Sequence, residues 1–202
     1  LKQALPVDAY TIILVGDSMT ESLGPNTNKL REYLKIHYPN KVFGINNLSE
    51  GSTNILTVQK RLDEDILNRE FEVIIVESFG YNPLSGYPPE EGLKKQNEEL
   101  DKIVSTIRNS KSKAKVNSII VFLATIAPNR DNYGKGAVDL SPEKRAEWAD
   151  ERSAYIKNHI EYAKIHDIPL INVYEKSLNS EGTGDVQYIE GATFIHPNEK
   201  GI

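Results

Sequence analysis

Short apolar runs that alternate with stretches of helical periodicity restrict this chain to few folds. Four runs have the continuous, β-branched character of strands buried on both faces. They lie at residues 11–15, 72–77, 118–124 and 168–173, and residues 41–46 form a weaker fifth candidate. Between the runs, apolar side chains recur at helical spacing, as they do at Ile55, Val58, Leu62 and Ile66. Strands that alternate with helices predict an α/β fold with a mostly parallel sheet of about five strands and helices on both faces.

The clearest helix start in the sequence is Ser141 followed by Pro142. Serine is a preferred N-cap residue, and proline is favoured at the first helical position. The apolar positions that follow predict a helix that ends near His166. The polar, glycine-containing residues 127–140 precede this helix and form the longest loop. Such a loop is either a substrate-facing lid or a surface connection.

Length and composition exclude several classes of protein. The 202 residues suit one domain that spans residues 1–202. The net charge of −5 does not favour nucleic-acid binding, and we interpret the short basic stretch at residues 111–115 as a solvated loop. The absence of cysteine excludes thiolate nucleophiles, disulfides and cysteine-ligated zinc. No apolar run reaches the roughly 18 residues of a transmembrane helix.

The sequence begins with Leu1 rather than methionine. We therefore expect that a signal, an anchor or another upstream piece has been removed. A secreted or anchored location is the corresponding expectation, and the sequence predicts no oligomeric state.

Polar residues that follow the predicted strands are the candidates for chemistry, because function gathers at the carboxyl ends of strands in open α/β sheets. Ser18, Gly51 and Asn82 each follow a strand, although each alone is also typical of a turn or a helix cap. His196 lies in a loop after the last strand. The other histidines fall in or at the ends of predicted helices, where a structural or solvated role is expected: His37, His159 and His166.

These residues stand in four ordered blocks along the chain. The blocks are Gly16-Asp17-Ser18, Gly51, Gly80-Tyr81-Asn82 and His196-Pro197-Asn198. Together they resemble the SGNH/GDSL hydrolase family, whose blocks contribute Ser, Gly, Asn and His in this order. The resemblance covers nearly the whole chain and implies a flavodoxin-like three-layer α/β/α sandwich. Because relatives usually continue into a last helix, it also implies further residues after Ile202.

The resemblance implies a serine esterase that works through a covalent acyl-enzyme. Ser18 resembles the nucleophile and His196 the general base. The backbone N–H groups of Ser18 and Gly51 and the side chain of Asn82 resemble the oxyanion hole. The substrate class is acyl esters, with O-acetylated carbohydrates and short-chain lipid esters as candidates. No cofactor and no metal is implied.

The loop at residues 127–140 and three tyrosines are further candidates for the substrate face. The tyrosines are Tyr81, Tyr87 and Tyr133, for which surface packing is an equally good interpretation.

Two positions depart from the family pattern. Thr193 stands where the family usually has the aspartate that orients the histidine, and Pro83 follows Asn82 in place of an aspartate. Three explanations of Thr193 are open. Glu190 or Asp185 serves as a substitute acid, a backbone carbonyl holds a Ser–His dyad, or the protein is a weakened or inactive relative. Loss of the acid can cost about 10⁴ in turnover.

Two other classes of function compete with the esterase. The first is a catalytically inactive binding protein with the same fold, which Thr193 motivates. The second is a flavodoxin-like mononucleotide binder or a receiver-type signalling domain, because a fold alone does not decide function. The first loop lacks the glycine-rich cradle that binds phosphate, which counts against the second class.

Overall fold

A parallel sheet forms the centre of the molecule in a computed structural model that describes residues 8–110 and 118–202. The strand order is β2-β1-β3-β4-β5, and every neighbouring pair is parallel. The strands are β1 Ala9–Val15, β2 Val42–Asn47, β3 Val73–Glu77, β4 Ile119–Ala124 and β5 Leu170–Asn172. The predicted α/β fold with five strands is therefore confirmed. Leu1 and the basic stretch at residues 111–115 lie outside the described residues.

Helices connect successive strands. They are α1 Ser18–Glu21, α2 Asn28–His37, α3 Ile55–Arg61, α4 Pro89–Asn109, α5 Pro142–Ile165 and α6 Val173–Lys176, with a π-helical turn at Leu62–Ile66 and a 3₁₀ turn at Val186–Tyr188. The predicted start of α5 is confirmed, because the hydroxyl of Ser141 accepts a hydrogen bond from Lys144 N at 3.2 Å. None of the described helices is both long enough and apolar enough to cross a membrane.

The last strand is shorter than predicted. The sequence pattern places a strand at residues 168–173, whereas β5 covers only Leu170–Asn172. Asn172 ends the strand because its side chain caps α6, where it accepts a hydrogen bond from Glu175 N at 3.1 Å. An Asn side chain that bonds to the backbone in this way competes with continued strand pairing.

Both faces of the sheet are packed, which explains the continuous apolar runs. Alternate residues of a strand point to opposite faces. Ile13 and Val15 of β1 lie in the core cluster that includes residues of α3, α4 and α5. Ile12 and Leu14 lie in a second cluster on the opposite face, against side chains of α2. The carboxyl end of β1 is therefore supported from both faces of the sheet.

Candidate active site

Ser18 lies at the carboxyl edge of the sheet, three residues after β1 ends. It is the first residue of α1, whose N-cap is Asp17. The Asp17 carboxylate accepts a hydrogen bond from Met19 N at 2.8 Å, so the turn around Ser18 is fixed locally. From β2, the side chain of Asn47 donates to Thr20 O at 2.8 Å and holds α1 from the other side.

The imidazole of His196 meets the hydroxyl of Ser18. Nε2 of His196 lies 3.0 Å from Oγ of Ser18, although the two residues are 178 positions apart in the chain. The loop that carries His196 closes on itself: Glu190 N donates to His196 O at 2.9 Å. Ile189 and Pro197 form an antiparallel bridge. The ring is therefore presented by a closed turn.

Gly51 and Asn82 approach the same point from β2 and β3. A β-carbon added at Gly51 would lie 3.7 Å from the β-carbon of Ser18, so the two backbones are close neighbours. Nδ2 of Asn82 donates to Oδ2 of Asp17 at 2.7 Å, which ties Asn82 to the residue before Ser18. The structure thus brings together Ser18, Gly51, Asn82 and His196.

Two buried carboxyl groups lie beneath Ser18. Asp17 and Glu77 have no exposed surface. Burial raises the pKa of Asp17, while hydrogen bonds from Met19 and Asn82 and the charge of His196 oppose this rise. Burial raises the pKa of Glu77 well above its usual range, and the nearby charge of Asp17 adds to the effect.

Glu77 is a residue that the sequence pattern did not single out. It was visible only as an acidic residue at the end of an otherwise apolar buried strand, β3. That combination is a usable signal, because a carboxyl group is costly to bury without partners.

The carboxylates near Thr193 are occupied within their own turns. The Thr193 hydroxyl donates to Oε1 of Glu190. Oε2 of Glu190 also accepts from Ala192 N at 2.7 Å. Asp185 accepts from Gln187 N at 3.0 Å and caps the 3₁₀ turn. Among the hydrogen bonds of the described residues, neither carboxylate is bound to the imidazole of His196, whose bond to Ser18 is the one found.

Residues with a strained backbone conformation lie beside the four sequence blocks. Three non-glycine residues with positive φ lie beside them: Ser52 (61°) follows Gly51, Phe79 (53°) precedes Gly80, and Phe194 (55°) lies two residues before His196. Such conformations cost about 1–3 kcal/mol each and persist where the surroundings enforce them. The loops that carry the candidate residues are therefore held by their packing.

Residues 127–140 pack against neighbouring elements. The backbone carbonyl of Tyr133 accepts from Nη1 of Arg145 at 2.5 Å, and its phenol accepts from Nε of Arg152 at 2.7 Å. Gly136 has φ of 93°, and a β-carbon there would come within 2.3 Å of Ala192 O. This loop thus touches the loop that carries His196, and only glycine fits the contact.

The three candidate tyrosines differ in exposure. Tyr81 and Tyr133 are buried with ring centroids 6.0 Å apart, whereas 41% of Tyr87 is exposed. The Tyr81 hydroxyl donates to Ile126 O at 3.2 Å, and its contact with substrate remains a prediction.

The described residues contain no cluster of three or more His, Cys, Asp or Glu that could hold a metal ion.

Solved structures that share this fold include lipases, acylhydrolases and an esterase. A GDSL-like lipase from Bacteroides thetaiotaomicron has a TM-score of 0.64 at 13% identity, over 95% of this chain and 82% of that one. A lipase/acylhydrolase from Enterococcus faecalis has a TM-score of 0.66 at 14% identity, over 95% and 89%. An acetylxylan esterase from Geobacillus stearothermophilus has a TM-score of 0.59 at 11% identity, over 95% and 88%.

No protein-family model matches this chain, and a comparison with curated sequences gives no match. The predicted resemblance to the SGNH/GDSL hydrolases is confirmed at the level of the fold.

Proposed function

We propose that this protein is a serine esterase that hydrolyses acyl esters through a covalent acyl-enzyme. The observation that carries the proposal is the 3.0 Å separation between Nε2 of His196 and Oγ of Ser18. A serine hydroxyl is a weak nucleophile until a base within hydrogen-bond reach removes its proton. His196 is the proposed base, because Nε2 of its imidazole lies within hydrogen-bond reach of that hydroxyl.

The reaction proceeds in two halves. Ser18 Oγ attacks the ester carbonyl while its proton passes to Nε2 of His196, which gives a tetrahedral oxyanion. The C–O bond to the alcohol then breaks, and the alcohol leaves with the proton from Nε2. Water attacks the acyl-Ser18 ester with His196 again as base. Collapse of the second oxyanion releases the carboxylic acid and restores the Ser18 hydroxyl.

Three donors are assigned to the oxyanion: the backbone N–H groups of Ser18 and Gly51, and the side-chain amide of Asn82. The amide of Asn82 donates one N–H to Asp17, and we assign its second N–H to the oxyanion. Removal of one such donor typically costs about 3 kcal/mol of transition-state stabilisation.

We interpret the base as one half of a Ser–His dyad. The carboxylates of Glu190 and Asp185 are engaged within their own turns, so they do not orient the imidazole. Turnover should accordingly be slower than that of an enzyme with a complete triad.

Small acyl esters are the proposed substrates, with O-acetylated carbohydrates and short-chain lipid esters as the two classes to compare. Support comes from the structural neighbours, which include an acetylxylan esterase and lipases.

Labelling with a fluorophosphonate tests the proposal. The wild type should be labelled at Ser18 and should hydrolyse a p-nitrophenyl acetate substrate, and Ser18→Ala should lose both. Ser105→Ala, at an exposed position of α4, is the matched control and should retain both. An unlabelled wild type without ester hydrolysis would reject the esterase. It would favour the inactive binding protein that Thr193 also suggests.

A further inference from the structure

Glu77 is buried between the two loops that carry Ser18 and Asn82. It is the last residue of β3, a central strand, and it has no exposed surface. Its Oε2 accepts hydrogen bonds from Asp17 N at 2.8 Å and from Oγ1 of Thr20 at 2.9 Å. Its Oε1 accepts from Phe79 N at 3.0 Å. One oxygen of this carboxyl group therefore holds the turn that carries Ser18 (the nucleophile turn). The other oxygen holds the loop that carries Asn82 (the Asn82 loop).

A second link closes these contacts into a ring. Oδ2 of Asp17 accepts from Nδ2 of Asn82 at 2.7 Å. Asn82 N donates to Phe79 O at 3.2 Å. The hydrogen bonds thus run from Glu77 to Asp17, on to Asn82, to Phe79 and back to Glu77. A displacement of either loop has to break one of them.

The surroundings are shaped to admit this carboxyl group. A β-carbon at Gly16 would lie 2.4 Å from Oε2 of Glu77, so the glycine lets the carboxyl group reach the nucleophile turn. Phe79 keeps a left-handed backbone (φ 53°) at the other end of the contact. A non-glycine residue stays in that region when its neighbours enforce it.

Burial of the Glu77 carboxyl group is unfavourable for the stability of the fold. Among the ion pairs of the described residues, none involves Glu77 or Asp17, and a buried carboxyl group without a cation carries a large desolvation penalty. An apolar side chain here would leave Asp17 N, Phe79 N and the Thr20 hydroxyl without this acceptor. The contacts with both loops are what the carboxyl group contributes in return.

We propose that Glu77 is a positioning residue that keeps Ser18 and the Asn82 amide in register for attack on the ester and for binding of the oxyanion. The inference rests on the proposed esterase function. It predicts an effect on the rate of the chemical step, because Glu77 lies beneath the loops and contacts Asp17, Thr20 and Phe79 within them.

Glu77→Gln is the test. The amide oxygen can still accept from Asp17 N, but the NH₂ group then faces the N–H of Phe79, so the bond to the Asn82 loop is lost. The number of active sites is first titrated with a fluorophosphonate, and kcat per titrated Ser18 is measured on a p-nitrophenyl ester. We expect kcat per site to fall by about 10-fold to 100-fold with KM about unchanged, because small misplacements of reacting groups have effects of this size.

Glu99→Gln is the matched control. Glu99 is another buried glutamate, paired with Lys95 and Lys102 on α4, and no hydrogen bond or ion pair found among the described residues joins it to the four blocks. Its variant should retain kcat per titrated site even if it loses stability. If Glu77→Gln does not fold, Thr20→Val decides, since it removes the bond from the Thr20 hydroxyl to Oε2 and leaves the bond from Asp17 N. It should lower kcat per site by about fivefold, the factor that corresponds to one hydrogen bond.

The outcomes separate the two proposals. A wild type that is neither labelled nor active overturns the esterase function and this inference with it. A labelled, active wild type whose kcat per site is unchanged in Glu77→Gln, or in Thr20→Val where that variant decides, overturns the inference alone.

Discussion

Protonation of His159 in the unfolded chain should destabilise the protein below neutral pH. His159 lies on α5 with no exposed surface, and its ring stacks on Phe122 with centroids 4.1 Å apart and planes 14° apart. Burial lowers the pKa of His159 to about 3. The folded protein therefore keeps this imidazole neutral through the mildly acidic range.

The sign of the effect follows from where each state takes up the proton. The unfolded chain protonates this histidine near its usual pKa of about 6.5, and the folded protein does so only near 3. Between these values the unfolded state binds more protons, so the free energy of unfolding decreases as the pH falls. At pH 5 the loss relative to pH 7 is about 2 kcal/mol, and the full loss of about 5 kcal/mol is reached below pH 3.

Urea unfolding at pH 7 and pH 5 measures this loss. In His159→Phe, the aromatic ring is retained and the titrating nitrogens are removed. We expect the wild type to lose about 2 kcal/mol more than this variant between the two pH values. His37→Gln, at an exposed position, is the control and should follow the wild type. Asp17 and Glu77 remain in all three proteins, so their titration cancels in the comparison.

Equal losses in the wild type and in His159→Phe would refute the reasoning. That result would mean that the imidazole gains a proton as readily in the folded protein as in the unfolded chain. The buried, stacked position of His159 would then be wrong.

Two further substitutions test the last loop and the start of α5. Thr193→Asp restores the residue type of the family but places it against the Glu190 carboxylate, so kcat/KM for a short acyl ester should not rise. The double variant Thr193→Asp/Glu190→Gln removes that repulsion and should raise kcat/KM more than tenfold; a rise in the single variant would contradict this interpretation of Glu190. Ser141→Ala removes the N-cap bond to Lys144 and should lower the free energy of unfolding by about 1 kcal/mol. Thermal unfolding checks the cap, and an unchanged midpoint would contradict it.

The strands with two buried faces were predictable from the sequence, because a continuous apolar run needs no knowledge of its partners. The runs at residues 72–77 and 118–124 correspond to Val73–Glu77 and Ile119–Ala124. The run at residues 168–173 does not end as predicted, because Asn172 caps a helix whose existence the run did not reveal.

The positions of some residues of the candidate site were likewise predictable from the sequence, and those of others were not. The positions of Ser18, Gly51 and Asn82 follow from parallel strands, whose carboxyl ends share one edge. The contact of His196 with Ser18 depends on a long loop, and the family resemblance rather than any spacing suggested it. The contacts of Glu77 were not predictable, since one donor, Asp17, lies 60 positions before it in the chain and another, Phe79, lies in the turn that follows β3.

The separation of Ser18 and His196 by 178 positions in the chain has a consequence for how the protein can be studied. The sheet can assemble before the loop with His196 docks, because contacts of such long range form late and at a high entropic cost. Recovery of ester hydrolysis during refolding would then report the docking of that last loop, while far-ultraviolet circular dichroism reports the earlier formation of strands and helices. The rate at which the proposed activity returns would therefore measure the rate of this last folding step.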